Sequence, residues 1–296
     1  MQQPYKSVWT ELLDTPFRQA WIDAGGLKTR FVQAGDPGNP PLVLLHGTAG
    51  SLENFAANFA AHARHFNCIA FDMIGSGMTD KPDFDYETDH YVKHAVDFFN
   101  AMGIKKASVI GLSLGARVAS RLAIDYPDKV EKLILLSATA YFPAKPIQDD
   151  IKRSRSAAVA NPTWDSIVEI FKGLFHEPSK VWDDLIATRL SIYRRADMKA
   201  AMSHILALLD PAVYNRNRIP DDDWKHLHAP TLIIAAVDHE DVFLETARTI
   251  VKLIPNAKVA EMKHCSHWPQ MEDPETFNSI SLEFLRAALA ASSVRA

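Results

Sequence analysis

Short runs of Val, Ile and Leu recur along this chain with apolar residues at consecutive rather than alternating positions, and longer stretches of helical spacing separate them. The runs Leu42–His46, Cys68–Phe71, Ser108–Gly111, Leu133–Ser137, Thr231–Ala236 and Lys258–Met262 predict strands buried on both faces. Strands alternating with helices predict βαβ units on a mostly parallel central sheet, an α/β fold. Upstream, Arg18–Ala24 and Leu27–Ala34 flank Gly25-Gly26, which predicts a hairpin and an antiparallel N-terminal start to the sheet.

The strand rhythm stops between Thr139 and Pro220. Trp164, Ile167, Val168 and Phe171 fall at helical spacing there, as do Trp182, Leu185, Ile186 and Arg189. The stretch is too long for a connection, so it reads as an inserted helical cap. The expected division is a core of residues 1–138 and 221–296 with a cap of residues 139–220, placed before the strand Thr231–Ala236. Asp221-Asp222-Asp223, just beyond, reads as a solvated helix start rather than a metal site.

Candidate chemistry sits at the ends of the expected strands. Gly111-Leu112-Ser113-Leu114-Gly115 follows one strand and opens a helix, the Gly-x-Ser-x-Gly context that lifts a serine clear of a sheet on a sharp turn. Small residues are required where strand and helix backbones nearly touch, and Gly111, Gly115 and Ala116 supply them. Ser113 is the expected nucleophile. His46-Gly47-Thr48 ends another strand, and the amides of Thr48 and Leu114 make a two-donor oxyanion hole. After the last strand, His267 is the expected general base. For the acid that orients it, Asp238 is the choice, with Asp241 behind it, both following Thr231–Ala236. This gives the chain order Ser, Asp, His.

Composition narrows the class. The chain has 296 residues, 47% of them hydrophobic and 23% charged, enough for one large core. A net charge of −4 gives no electrostatic footprint for nucleic acid. Two cysteines make no disulfide framework, no apolar run approaches the roughly 18 residues of a membrane span, and a cytoplasmic protein is expected. The expected partner is a small-molecule substrate, with no membrane, metal or cofactor required; homo-oligomerisation is left open.

From about Trp21 to Phe284 the sequence resembles the α/β-hydrolase superfamily, and within it is similar to the meta-cleavage product hydrolases, which break carbon–carbon bonds. The matching segments are Leu44–Gly47, the Asp72–Pro82 stretch and Ser266–Trp268. The resemblance implies acyl transfer to water, with a cap arginine and the tryptophan after the histidine lining the pocket. By position these are Arg189 and Trp268. Leu112 stands where that family usually has asparagine, and an ungapped match puts His239 opposite its acid. Esterases and lactonases share the scaffold, so ester, lactone and vinylogous diketone substrates all remain open. The alternative from another class is a hydrolase-like small-molecule receptor with slow or no turnover.

Overall fold

Burial along the strands sorts them into centre and edge. Asn67–Phe71 (β4) and Ala107–Leu112 (β5) are buried at every residue. Pro41–Leu45 (β3) and Val130–Leu136 (β6) are nearly so. Phe17–Ala24 (β1) and Ala257–Met262 (β8) are exposed or half-buried along most of their length. In the computed structural model, which describes residues 6–139, 141–142, 145–238 and 241–287, these strands join Leu27–Ala34 (β2) and Thr231–Ala236 (β7) in one sheet. Its order is β1-β2-β4-β3-β5-β6-β7-β8. The pairs β1–β2 and β2–β4 are antiparallel; all others are parallel. The chain therefore has the α/β-hydrolase architecture, with the antiparallel hairpin at its N-terminal edge.

Register brings the candidate loops together. Leu45 lies opposite Gly111, Leu112 opposite Leu136, and Leu136 opposite Ile234. The segments beginning at His46, Ser113, Ser137 and Val237 thus leave the same edge of the sheet, the C-terminal one where ligands gather in open α/β folds.

The connection from β6 to β7 contains the helices Lys145–Ala160, Trp164–Lys172, Asp183–Tyr193, Ala196–Leu206 and Pro211–Arg216, and no strand among the described residues. It is tied to the sheet layer at separate points. The Tyr86 amide donates to the His204 carbonyl at 3.2 Å, the Thr88 amide to Asn217 Oδ1 at 3.0 Å, and the Val8 amide to Asp184 Oδ2 at 2.9 Å. Arg216 makes a forked contact with Glu87 at 2.6 and 3.0 Å. No described helix is long and apolar enough to cross a membrane.

Candidate active site

Ser113 joins β5 to the helix Leu114–Asp125 with φ 54° and ψ −110°, a conformation that costs a non-glycine residue about 1–3 kcal/mol. Close packing on both sides maintains it. A Cβ on Gly111 would lie 2.3 Å from the Gly115 carbonyl oxygen, and one on Gly115 would lie 2.1 Å from that of Leu45. Only glycine lets strand and helix cross at this distance. The Ser113 amide donates to the Leu136 carbonyl at 2.9 Å, and Thr139 Oγ1 donates to the Ser113 carbonyl at 3.1 Å, so neighbouring strand ends brace the turn.

Thr48, Ser113 and Leu114 line one cavity. The Leu114 amide, at the first position of its helix, has no intrahelical acceptor. Gly47 packs against the elbow, its Cβ direction 3.5 Å from Ser113 Cβ. Behind this loop His46 is a strut: the Met73 amide donates to its Nε2 at 3.0 Å, so the proton sits on Nδ1, which donates to the Gly47 carbonyl at 2.8 Å. Burial holds His46 down to about 4, consistent with a neutral ring. Asp72, fully buried, accepts from the Leu52 and Met78 amides, both at 2.8 Å, and from Arg30 Nε at 2.6 Å. The Asp72–Pro82 stretch thus fixes the loop that carries Thr48.

The histidine loop is anchored independently. Glu272 accepts from the Ser266 amide at 2.7 Å and the His176 amide at 2.6 Å, and Ser137 Oγ donates to the His267 carbonyl at 2.8 Å. The His267 ring lies 4.4 Å, centroid to centroid, from Phe243, which lines the Ser113 cavity. Burial pushes His267 down to about 3, and the nearby charge of Arg155 adds to the fall.

Asp238 is not brought to that ring. It is exposed, and its Oδ2 accepts from the Cys265 amide at 3.2 Å, while His267 Nδ1 has no hydrogen-bond partner among the described residues. The chain direction out of β7 carries the carboxylate to the backbone of the histidine loop and not to its ring. Asp241 caps the helix Val242–Leu253, accepting from the Phe243 and Leu244 amides at 2.9 and 3.0 Å. His239 and Glu240 lie outside the described residues.

Arg189 and Trp268 meet across Phe171. The Arg189 guanidinium is 5.3 Å from the Phe171 ring centroid and 5.7 Å from that of Tyr193, and the rings of Trp268 and Phe171 are 5.5 Å apart. Arg189 is only 3% exposed and is matched by no carboxylate among the described residues. Its Nη2 donates to Asn54 Oδ1 at 3.3 Å, and Arg189 Nε and Asn54 Nδ2 have no hydrogen-bond partner among the described residues. Arg155 is also buried, close enough for the two charges to interact, and burial pushes it down to about 10. Asn54, Arg155, Arg117 and Gln148 escaped sequence reasoning. Isolated polar residues in helical stretches look like solvated faces, although Arg117 stands one turn beyond Ser113.

Comparison with known proteins bears on the fold. The family model described as "alpha/beta hydrolase fold" matches residues 40–274. A 2-hydroxy-6-oxo-6-(2'-aminophenyl)hexa-2,4-dienoic acid hydrolase of Metapseudomonas resinovorans is 28% identical over 93% of each chain. A 2-hydroxy-6-oxononadienedioate/2-hydroxy-6-oxononatrienedioate hydrolase of Burkholderia vietnamiensis is 27% identical over 94% of this chain and 98% of its own. Among solved structures, the 2-hydroxy-6-oxo-6-phenylhexa-2,4-dienoate hydrolase of Rhodococcus sp. strain RHA1 superposes with a TM-score of 0.80 at 20% identity, covering 92% of this chain and all of its own.

Proposed function

The chain belongs to the α/β-hydrolase fold family, and from that premise we propose that it hydrolyses a carbon–carbon bond in a 2-hydroxy-6-oxo-dienoate, a vinylogous diketone ending in a carboxylate. The observation that carries this reading is the pair of unpartnered donors on Arg189 and Asn54. A buried cation without an acidic partner is costly, and a substrate carboxylate supplies the missing charge and acceptors together.

In this mechanism Ser113 Oγ attacks the ketone carbon as His267 takes its proton. The oxyanion forms against the Thr48 and Leu114 amides. The substrate reacts as its diketone tautomer, the enol proton having moved to the carbon next to the ketone. Collapse then breaks the bond between that carbon and the ketone carbon, and the electron pair passes through the enone to the former enol oxygen, which takes the proton held by His267 while the carboxylate stays at Arg189. Water, activated by His267, then releases the acid from Ser113. Catalytic hydrogen bonds often tighten only around substrate, so a Ser113–His267 bond is expected in the complex. Asp238 holds the histidine loop through the Cys265 amide, and no carboxylate among the described residues is hydrogen-bonded to the ring.

The test compares a ring-fission dienoate with p-nitrophenyl butyrate. Ser113→Ala should lower turnover of both by on the order of 10⁴-fold or more. Arg189→Gln should lower the ratio of kcat/KM for dienoate over ester by about 10–100-fold, the value of a charge-assisted contact. An unchanged ratio would remove Arg189 as the carboxylate anchor. No turnover of either substrate by the wild type would favour the receptor reading.

A further inference from the structure

The cavity at Ser113 holds a second set of donors that the reading above does not use. Arg117 and Gln148 line it together with Ser113, Thr48 and Leu114, and they are 3% and 5% exposed. Arg117 Nε and Nη1 and Gln148 Nε2 have no hydrogen bond of good geometry among the described residues. The guanidinium carbon lies 4.4 Å from the Tyr214 ring centroid, but a ring face offers nothing to N–H groups in the guanidinium plane. The Tyr214 hydroxyl donates to the Phe142 carbonyl at 2.8 Å, and its oxygen is a weak neutral acceptor beside the Arg117 guanidinium that leaves the charge unmatched. Arg117 has no ion pair among the described residues. A buried, permanently charged fork and an amide N–H therefore line the cavity at Ser113, whose other walls are largely apolar.

We propose that this part of the cavity is a second anion subsite, which takes a carboxylate at the far end of the acyl group transferred to Ser113, so that the substrate is a dioate. This rests on the reading above only in that Ser113 is acylated. One end of the substrate goes to Arg189 and Asn54. The fragment bound to Ser113 starts at the Thr48 and Leu114 amides, and it shares their cavity with Arg117 and Gln148. The apolar walls cover the methylenes, and the two donors meet the terminal oxygens.

Activated esters test the acyl side by itself. The p-nitrophenyl monoester of glutaric acid is compared with its methyl ester, corrected for spontaneous hydrolysis, in the wild type, Arg117→Met and Gln148→Leu. The wild type should prefer the free carboxylate by about 10-fold or more in kcat/KM, and Arg117→Met should bring that ratio near one. Gln148→Leu should lower it by a smaller factor. A wild-type ratio at or below one overturns the proposal, as does a ratio that neither variant moves. If Arg117→Met does not fold, the wild-type ratio and Gln148→Leu decide the matter. Because both esters lack the dienoate, loss of the carbon–carbon reading leaves this result standing, and the reverse also holds.

Discussion

Lowering the pH tests the electrostatics of His267 directly. An imidazole with the ordinary value of 6.5 would be only about 3% neutral at pH 5, and general-base catalysis would fall in proportion. Held at about 3 by burial and by Arg155, the His267 ring is still almost entirely neutral at that pH. Initial rates on p-nitrophenyl butyrate, which does not itself titrate in this range, should therefore give a kcat/KM that stays near its plateau from pH 8 down to about 5. Unfolding is the competing cause of an acid limb. His46, His62 and His94 are also buried and held at about 4, below their unfolded value. The unfolded chain takes up those protons first, so stability declines as pH falls below about 6.5 and keeps declining toward about 4. Enzyme equilibrated at each pH and assayed at once at pH 8 separates the two effects. An acid limb centred between 6 and 7 in enzyme that passes this control would refute the electrostatic reading. Arg155→Met should move the limb upward but not all the way to 6.5, because burial is the larger cause.

Gly115→Ala should destabilise the protein by about 3 kcal/mol or more and lower Tm by roughly 6–12 °C in thermal denaturation, since the new Cβ would meet the backbone of Leu45 and His46. Gly173→Ala, whose Cβ would sit 3.7 Å from the Ile170 carbonyl, should change stability by less than about 0.5 kcal/mol. Asp238→Asn should lower kcat by less than about 10-fold, because an amide oxygen can still accept from the Cys265 amide; a loss of about 10³–10⁴, as for a triad acid, would show that the carboxylate reaches His267 during turnover.

These sites differ in how far they could be read from sequence. The turn at Ser113 was legible because its geometry is local: strand, turn, helix and two close-packed glycines occupy five consecutive residues. The strands were legible because a sheet covered on both faces needs unbroken apolar runs, and β3 to β6 have them. The sheet's hairpin edge followed from Gly25-Gly26, whose φ of 67° and 89° suit a tight turn. The setting of His267 was not legible. Asp238 occupies the expected strand end, but a carboxylate's use depends on where the loop aims it, and this loop aims it at the Cys265 amide. Arg155 and Gln148 lie seven positions apart on one helix, so both project from the same face. That face looks solvated until the cap is folded over the sheet.

A cation near the histidine and a carboxylate behind it act in opposite directions, and the difference bears on substrate choice. A triad acid favours imidazolium, so it speeds proton removal from the serine whatever substrate is bound. Arg155 disfavours imidazolium and raises the cost of the same step in the empty site. Arg189 lies close enough to Arg155 for their charges to interact, which concentrates positive potential on this side of the site. If the proposed anchor at Arg189 holds, a substrate carboxylate bound there would offset that potential and restore basicity to His267 at the moment the ketone is in place. A neutral ester brings no such charge and meets the weaker base. The arginines would then select for anionic substrates twice, by contact in binding and through the histidine in the chemical step. Only the second selection appears in kcat, which separates it from simple tightness of binding.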